Sequence, residues 1–275
     1  KKVEAASTGK LSVTGYQDYN DAQKILKEVN KYRKKNGRKA LKMDRGLTNS
    51  AIMRGFETTI YIPETSPHRR PNGKLSKSIN KKIIYENCAQ SAGTTPKQIV
   101  KGWINSSTHR KGLLLSNAKS VGVAAVTVVS RDGYEANTWV LDFSSSKAKK
   151  VEKSKARKQF TKNIVTKNSY LKKSYLKLDS RYGTIWETEK MQMKPTYQGK
   201  MMKEYGVYPT VINTSSFTSW KSSNPSVASV DSNGRITGNK AGTATISAKL
   251  KTGTKITISK KIKVVPTNQQ IDPWE

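Results

Sequence analysis

Only two histidines occur in 275 residues, and both stand in polar company. His68 lies in "SPHRRPNG", among a proline, two arginines and a Pro-Asn-Gly turn; His109 lies in "GWINSSTHRKG". Between them, "IIYENCAQ" places Glu86 directly after an apolar run. Neither histidine falls on an apolar helical stripe. A neutral imidazole can donate and accept at once, or ligate a metal. Burial alone would raise the pKa of Glu86, and a histidine partner is the natural compensation. His68, Glu86 and His109 are therefore expected to converge on one cleft.

Several chemistries stay open for such a set. Two histidines and a carboxylate could hold a divalent metal such as zinc, leaving a position for water. A hydrolase built on it would need a further carboxylate as base, for which Glu57 is the candidate. The His-Glu-x-x-His spacing is absent, so folding would have to assemble any metal site. Ser106 and His109 are three apart, on one face of a helix if it extends so far. A serine nucleophile would still need an orienting group for its base. The simpler reading has "SSTHR" ending a helix, its hydroxyls bonding loose backbone groups. A buried histidine–carboxylate pair can also anchor a loop without reacting. The weight falls on binding or anchoring rather than catalysis.

These residues need elements to position them. In "YNDAQKILKEVNKYRKKNG", Ala22, Ile25, Leu26, Val29 and Tyr32 share one helical face, with Asn20 and Gln23 as a capping box and Gly37 as a stop. A second helix is predicted through "GLTNSAIMRGFETTIY". The third has Thr95 as cap, Pro96 at the first position, Gln98 three after the cap, and the stripe Ile99, Val100, Trp103, Ile104. Then "VGVAAVTVV", the turn "SRDG" and "YEANTWVLDF" read as a hairpin, with Trp139, Leu141 and Phe143 on one face. The segment "KAKKVEKSKARK" has no hydrophobic period and reads as a basic linker. From about residue 170, short alternating runs such as Ala244, Ile246, Ala248 and Leu250 predict a β-sandwich, with Trp220 at its centre.

Composition bounds the partners. Lysine and arginine total 52 against 19 acids, a net charge of +33, which favours polyanionic surroundings such as wall polymers or another anionic envelope surface. Lysines spread along the chain, without arginine–aromatic clusters, speak against specific nucleic-acid recognition. No apolar run reaches the roughly 18 to 20 residues of a membrane span, and no export signal lies in the chain as given. Cys88 is the sole cysteine, which excludes an internal disulfide or a zinc cluster built on cysteines; it reads as a small buried hydrophobe.

In order along the chain, "ALKMDRGLTNSAIMRGFE", "HRRPNG", "YENCA", "WINSSTHR" and "VGVAAV" resemble motifs of the CAP superfamily (cysteine-rich secretory proteins, antigen 5 and pathogenesis-related proteins), in its bacterial, disulfide-free branch. The resemblance implies an α-β-α sandwich with a cleft lined by His68 and Glu86. Where many eukaryotic members have a second glutamate and a second histidine, this chain has Ser106 and a position near Asn117. "TSWKSSNPSVASVDSNGRITGNKAGTATISAK" is similar to bacterial immunoglobulin-like group 2 domains, surface modules that space or adhere. The expected organisation is α+β: a CAP domain over 15–146, a basic linker over 147–169, an Ig-like β-sandwich over 170–266 and a tail over 267–275. The expected protein is extracellular or wall-associated in a Gram-positive bacterium, with a ligand or partner in its CAP cleft. The alternatives are a metal-dependent hydrolase acting on a peptide or wall substrate, and a purely structural or adhesive wall protein.

Overall fold

A computed structural model describes residues 8–60, 68–91, 93–179 and 183–268. The chain divides into two compact units, residues 14–162 and residues 1–13 with 163–275.

The first unit opens with the end of β1 (Thr8–Asp18), a strand that the sequence reading did not anticipate. It runs directly into α1 (Tyr19–Lys35). The cap is Asp18, whose carboxylate accepts from the Asp21 amide, so the helix starts before the expected Asn20–Gln23 box. After β2 (Lys42–Met43) comes α2 (Arg45–Ile60), which mixes polar and apolar residues around its circumference and is buried along most of its length. Then follow β3 (Tyr85–Ser91), α3 (Pro96–Asn105), α4 (Ser107–Leu113), β4 (Ser120–Val129), β5 (Glu135–Ser144) and β6 (Arg157–Lys167). The Thr95 capping box on α3 is present as read, with Pro96 in the first turn. Tyr61, Ser66 and Pro67 lie outside the described residues.

The sheet order β3-β5-β4-β1 leaves β3 at an edge, paired with β5 alone. Alternation along β4 and β5 decides what covers each face. Val121, Val123, Ala125, Trp139, Leu141 and Phe143 pack with α1 and α3 in one core. The opposite face carries Gly122, Ala124 and Val126 and receives α2, whose Gly55 lies against Val126 and Ala124. The result is an α-β-α sandwich. Arg33, buried at the end of α1, donates to the carbonyls of Lys39, Leu113 and Leu115, which fixes the end of α4.

The segment expected as a linker is ordered. Residues 157–167 are strand β6, and the stretch before it is bonded through its main chain. The Lys149 amide donates to Asp44, the Arg45 amide to the Lys150 carbonyl, and the Glu152 amide to the Met43 carbonyl. Arg45 also pairs with the Glu152 carboxylate at 2.9 Å. A charge pattern reports where side chains point, and here the lysines point to solvent while the backbone pairs inward.

The second unit is mostly β. It holds β7 (Leu176–Asp179), β8 (Thr184–Trp186), β9 (Lys190–Gln192), β10 (Lys194–Tyr197), a short α5 (Lys200–Glu204) and β11 (Thr210–Val211). Its remaining strands are β12 (Phe217–Ser222), β13 (Ala228–Val230), β14 (Arg235–Gly238), β15 (Gly242–Leu250) and β16 (Thr257–Val265). One sheet runs β12-β15-β16-β8, and shorter ones run β13-β14-β9 and β11-β10-β7. Ala244, Ile246, Ala248 and Leu250 all face the core, as their alternation predicts. Trp220 is not its centre. The ring is half-buried against Gly234 and Phe217, and the centre is aliphatic: Ile185, Ile236, Ile246 and Ile262 are fully buried. Among the described residues no helix is long and apolar enough to cross a membrane.

Candidate functional site

Edge strand β3 organises the candidate residues. Glu86 is in register with Asp142 of β5, which places both carboxyls on the face covered by α2. The Glu86 side chain is 2% exposed and accepts from Arg54 Nε at 2.8 Å, Arg54 Nη2 at 3.2 Å and His68 Nδ1 at 2.9 Å. An ionised carboxylate only accepts, so Nδ1 carries the ring proton of His68. Arg54, fully buried on α2, reaches Glu57 Oε2 through Nη1 at 2.8 Å. Arg70 closes on the other Glu57 oxygen through Nη2 at 2.7 Å. The result is a buried ionic chain from His68 through Glu86, Arg54 and Glu57 to Arg70. Burial pushes the Glu86 carboxyl up, but the hydrogen bonds from His68 and Arg54 outweigh it, and the group ends below the ordinary 4.5.

His109 approaches β3 from the opposite layer. Its Nδ1 lies 2.9 Å from Ser106 Oγ, and its carbonyl accepts from Asn87 Nδ2 at 2.9 Å. Burial and the charge of His68 hold the ring below its ordinary 6.5, against the main chain of Cys88, which favours the charged form. Glu57 is locked between two arginines and has no oxygen free to act as a base. Asn117 is exposed in the turn between α4 and β4, and no side-chain hydrogen bond joins it to this site among the described residues.

A zinc ion does not fit these donors. His68, Glu86 and Cys88 offer atoms within 4.8 Å of one another, a set different from the expected His68, Glu86 and His109. The Arg54 guanidinium already occupies the Glu86 carboxylate, so a dication would meet a fixed positive charge there. Burial pushes the Cys88 thiol up to about 12, so a metal would have to displace its proton to bind there. His109 turns one nitrogen to Ser106 and faces the Cys88 main chain.

Sequence reasoning missed Arg54, Arg70 and Asp142. For Arg54 a signal existed: a cation three residues from Glu57, on a helix that separates no polar face from an apolar one, must be paired where it is buried. Asp142 carried none. It is fully buried, and neither carboxyl oxygen has a hydrogen-bond partner among the described residues. Burial first, and then the Glu86 charge, raise its pKa well above the ordinary 3.8. A buried acid that holds its proton more tightly when folded loses stability for the fold as pH rises from 3.8 through the raised value. Asp142→Asn, which cannot ionise, is expected to be the more stable chain by about 1–3 kcal/mol in mild alkali. Urea melts between about pH 5 and about pH 9 check this. A difference that does not widen with pH would reject a protonated Asp142.

The sequence model of the cysteine-rich secretory protein family, CAP, matches residues 26–143, and that of the bacterial Ig-like domain, group 2, matches residues 198–262. The chain carries a CAP domain followed by a bacterial Ig-like domain. The protein YkwD of Bacillus subtilis (strain 168) is 31% identical over 130 residues, which is 46% of this chain and 48% of YkwD. The match spans about half the length of that curated relative. An extracellular protein containing a SCP domain from Bacillus anthracis str. Ames aligns with 46% of this chain and 41% of its own, at 19% identity and a TM-score of 0.34. An outer surface protein from Borrelia burgdorferi aligns with 47% of this chain and 98% of its own, at 18% identity and a TM-score of 0.36.

Proposed function

We propose that the chain is an exported, wall-associated bacterial protein whose CAP domain binds a ligand or partner at the His68–Glu86–His109 edge, with the Ig-like module presenting it. The observation that carries this reading is the fixed His68 ring. It is 35% exposed, yet Glu86 holds its Nδ1, and Glu86 is in turn held by Arg54. A ring oriented from below offers its other nitrogen at little entropic cost, which is what a recognition group needs. Both glutamates of the ionic chain beneath it are held by arginines, which favours binding over metal-dependent hydrolysis.

The charge of +33 supplies the second half of the reading, retention on anionic wall polymers. Binding to wall preparations should then fall about 10³-fold between about 50 and about 200 mM salt, and vanish when phosphate polymers are stripped from the wall. Retention indifferent to both treatments would overturn the electrostatic part. The cleft is tested at salt high enough to remove that component. Residual binding of wall fragments should disappear in His68→Ala, with the melting curve little changed because Arg54 and Glu86 still pair. Equal residual binding in both proteins would overturn the cleft.

A further inference from the structure

Ser106 stands between α3 and α4, at the end of one helix and at the cap of the next. A cap serine ordinarily bonds a first-turn amide, but this one makes no side-chain capping bond. Its hydroxyl is spent on the His109 ring, 2.9 Å from Nδ1. The main chain of Cys88 favours the charged ring, as a nearby carbonyl does. In the tautomer that carries its proton on Nε2, Nδ1 is a lone pair and the Ser106 hydroxyl donates to it. A hydroxyl and a base within hydrogen-bond reach are the core of an activated nucleophile.

The support beneath this pair is rigid. Tyr85 donates its hydroxyl to the Thr108 carbonyl at 2.9 Å, and Asn87 donates to the His109 carbonyl at 2.9 Å. Gly112 allows the contact, since a Cβ there would lie 2.7 Å from Asn87 Oδ1 and 2.8 Å from the Tyr85 ring. Arg110 ties back to the Ile104 carbonyl and closes the junction between the helices. Ser106 and His109 are both half-buried, so they are held yet reachable.

We propose that Ser106 and His109 are the nucleophile and base of an acyl-transfer site that takes carboxylic esters. Ser106 Oγ attacks the ester carbonyl while its proton passes to His109 Nδ1. The C–O bond to the leaving alcohol then breaks, and that alcohol takes the proton from Nδ1. Water, deprotonated by the same nitrogen, releases the acid and restores Ser106. The inference goes beyond ligand binding at His68 and does not depend on it.

The test uses the full chain and a fluorophosphonate probe, with peptide mapping of the adduct and hydrolysis of a p-nitrophenyl ester followed in parallel. The expected result is a stoichiometric adduct on Ser106. Ester turnover should fall about 10²-fold or more in Ser106→Ala and in His109→Gln, and stay unchanged in Ser107→Ala. The adduct on the unmodified chain needs no variant to fold. No Ser106 adduct above the level found on Ser107 would overturn the proposal, as would labelling undiminished in a folded His109→Gln chain.

Discussion

Arg54→Leu is expected to cost about 3–5 kcal/mol, because it removes one partner of a buried ionic set and leaves carboxylates uncompensated. Arg54 and Glu57 are 0% exposed and Glu86 is 2% exposed, so water cannot take over the lost bonds. Arg70 still reaches Glu57 and His68 still reaches Glu86, which keeps the loss finite. The pH dependence should change sign. In the native chain Glu86 sits below its ordinary 4.5, so its contribution is present above that value and is lost as pH falls through the depressed one. Without Arg54, burial dominates and the carboxyl rises, so stability is lost as pH increases. Urea melts at acid and neutral pH read both effects. A loss under about 1 kcal/mol would mean that the arginine is not what compensates the two glutamates.

Gly122→Ala should cost about 3 kcal/mol, at the severe end for overpacking. Its Cβ would lie 2.3 Å from the main-chain carbon and oxygen of Leu47 and 2.7 Å from the Thr48 amide. Backbone cannot rotate away as a side chain can, so α2 would have to lift from the sheet. Arg54 and Glu57 ride on that helix, so the variant should also loosen the hold on Glu86. Gly102→Ala is the control. No atom lies within 4 Å of a Cβ at Gly102, and a helical glycine costs about 0.5–1 kcal/mol relative to alanine, so that change should stabilise. Thermal melts of the two variants moving in the same direction would contradict the close approach of α2.

The local grammar of the chain was legible where one element decides itself. Thr95, Pro96 and Gln98 mark the start of α3 because a capping box is closed within four residues. Trp139, Leu141 and Phe143 share a buried face because the strand period is two, whatever the partner. The order of the CAP-like and Ig-like motifs was enough to set the two domains in sequence. The scarcity of histidine, and its placement in polar segments, mark His68 and His109 in the sequence itself.

What these residues bond to was settled only by tertiary structure. Glu86 finds Arg54 32 residues away on a helix of the covering layer, and His68 18 residues away in a loop. No local period encodes such pairings, because they follow from which face of the sheet α2 covers. Asp142 looks from sequence like any polar residue in an amphipathic strand, yet both faces of its sheet are covered, and its carboxyl has no hydrogen-bond partner among the described residues. The basic stretch before β6 misled for the complementary reason: its charges describe side chains in solvent, while its order comes from main-chain groups that every sequence shares. Composition and period therefore determined the elements and their order, and the packing of α2 and α4 about the edge strand decided the chemistry, since buried charges must be paired wherever the fold brings partners within reach.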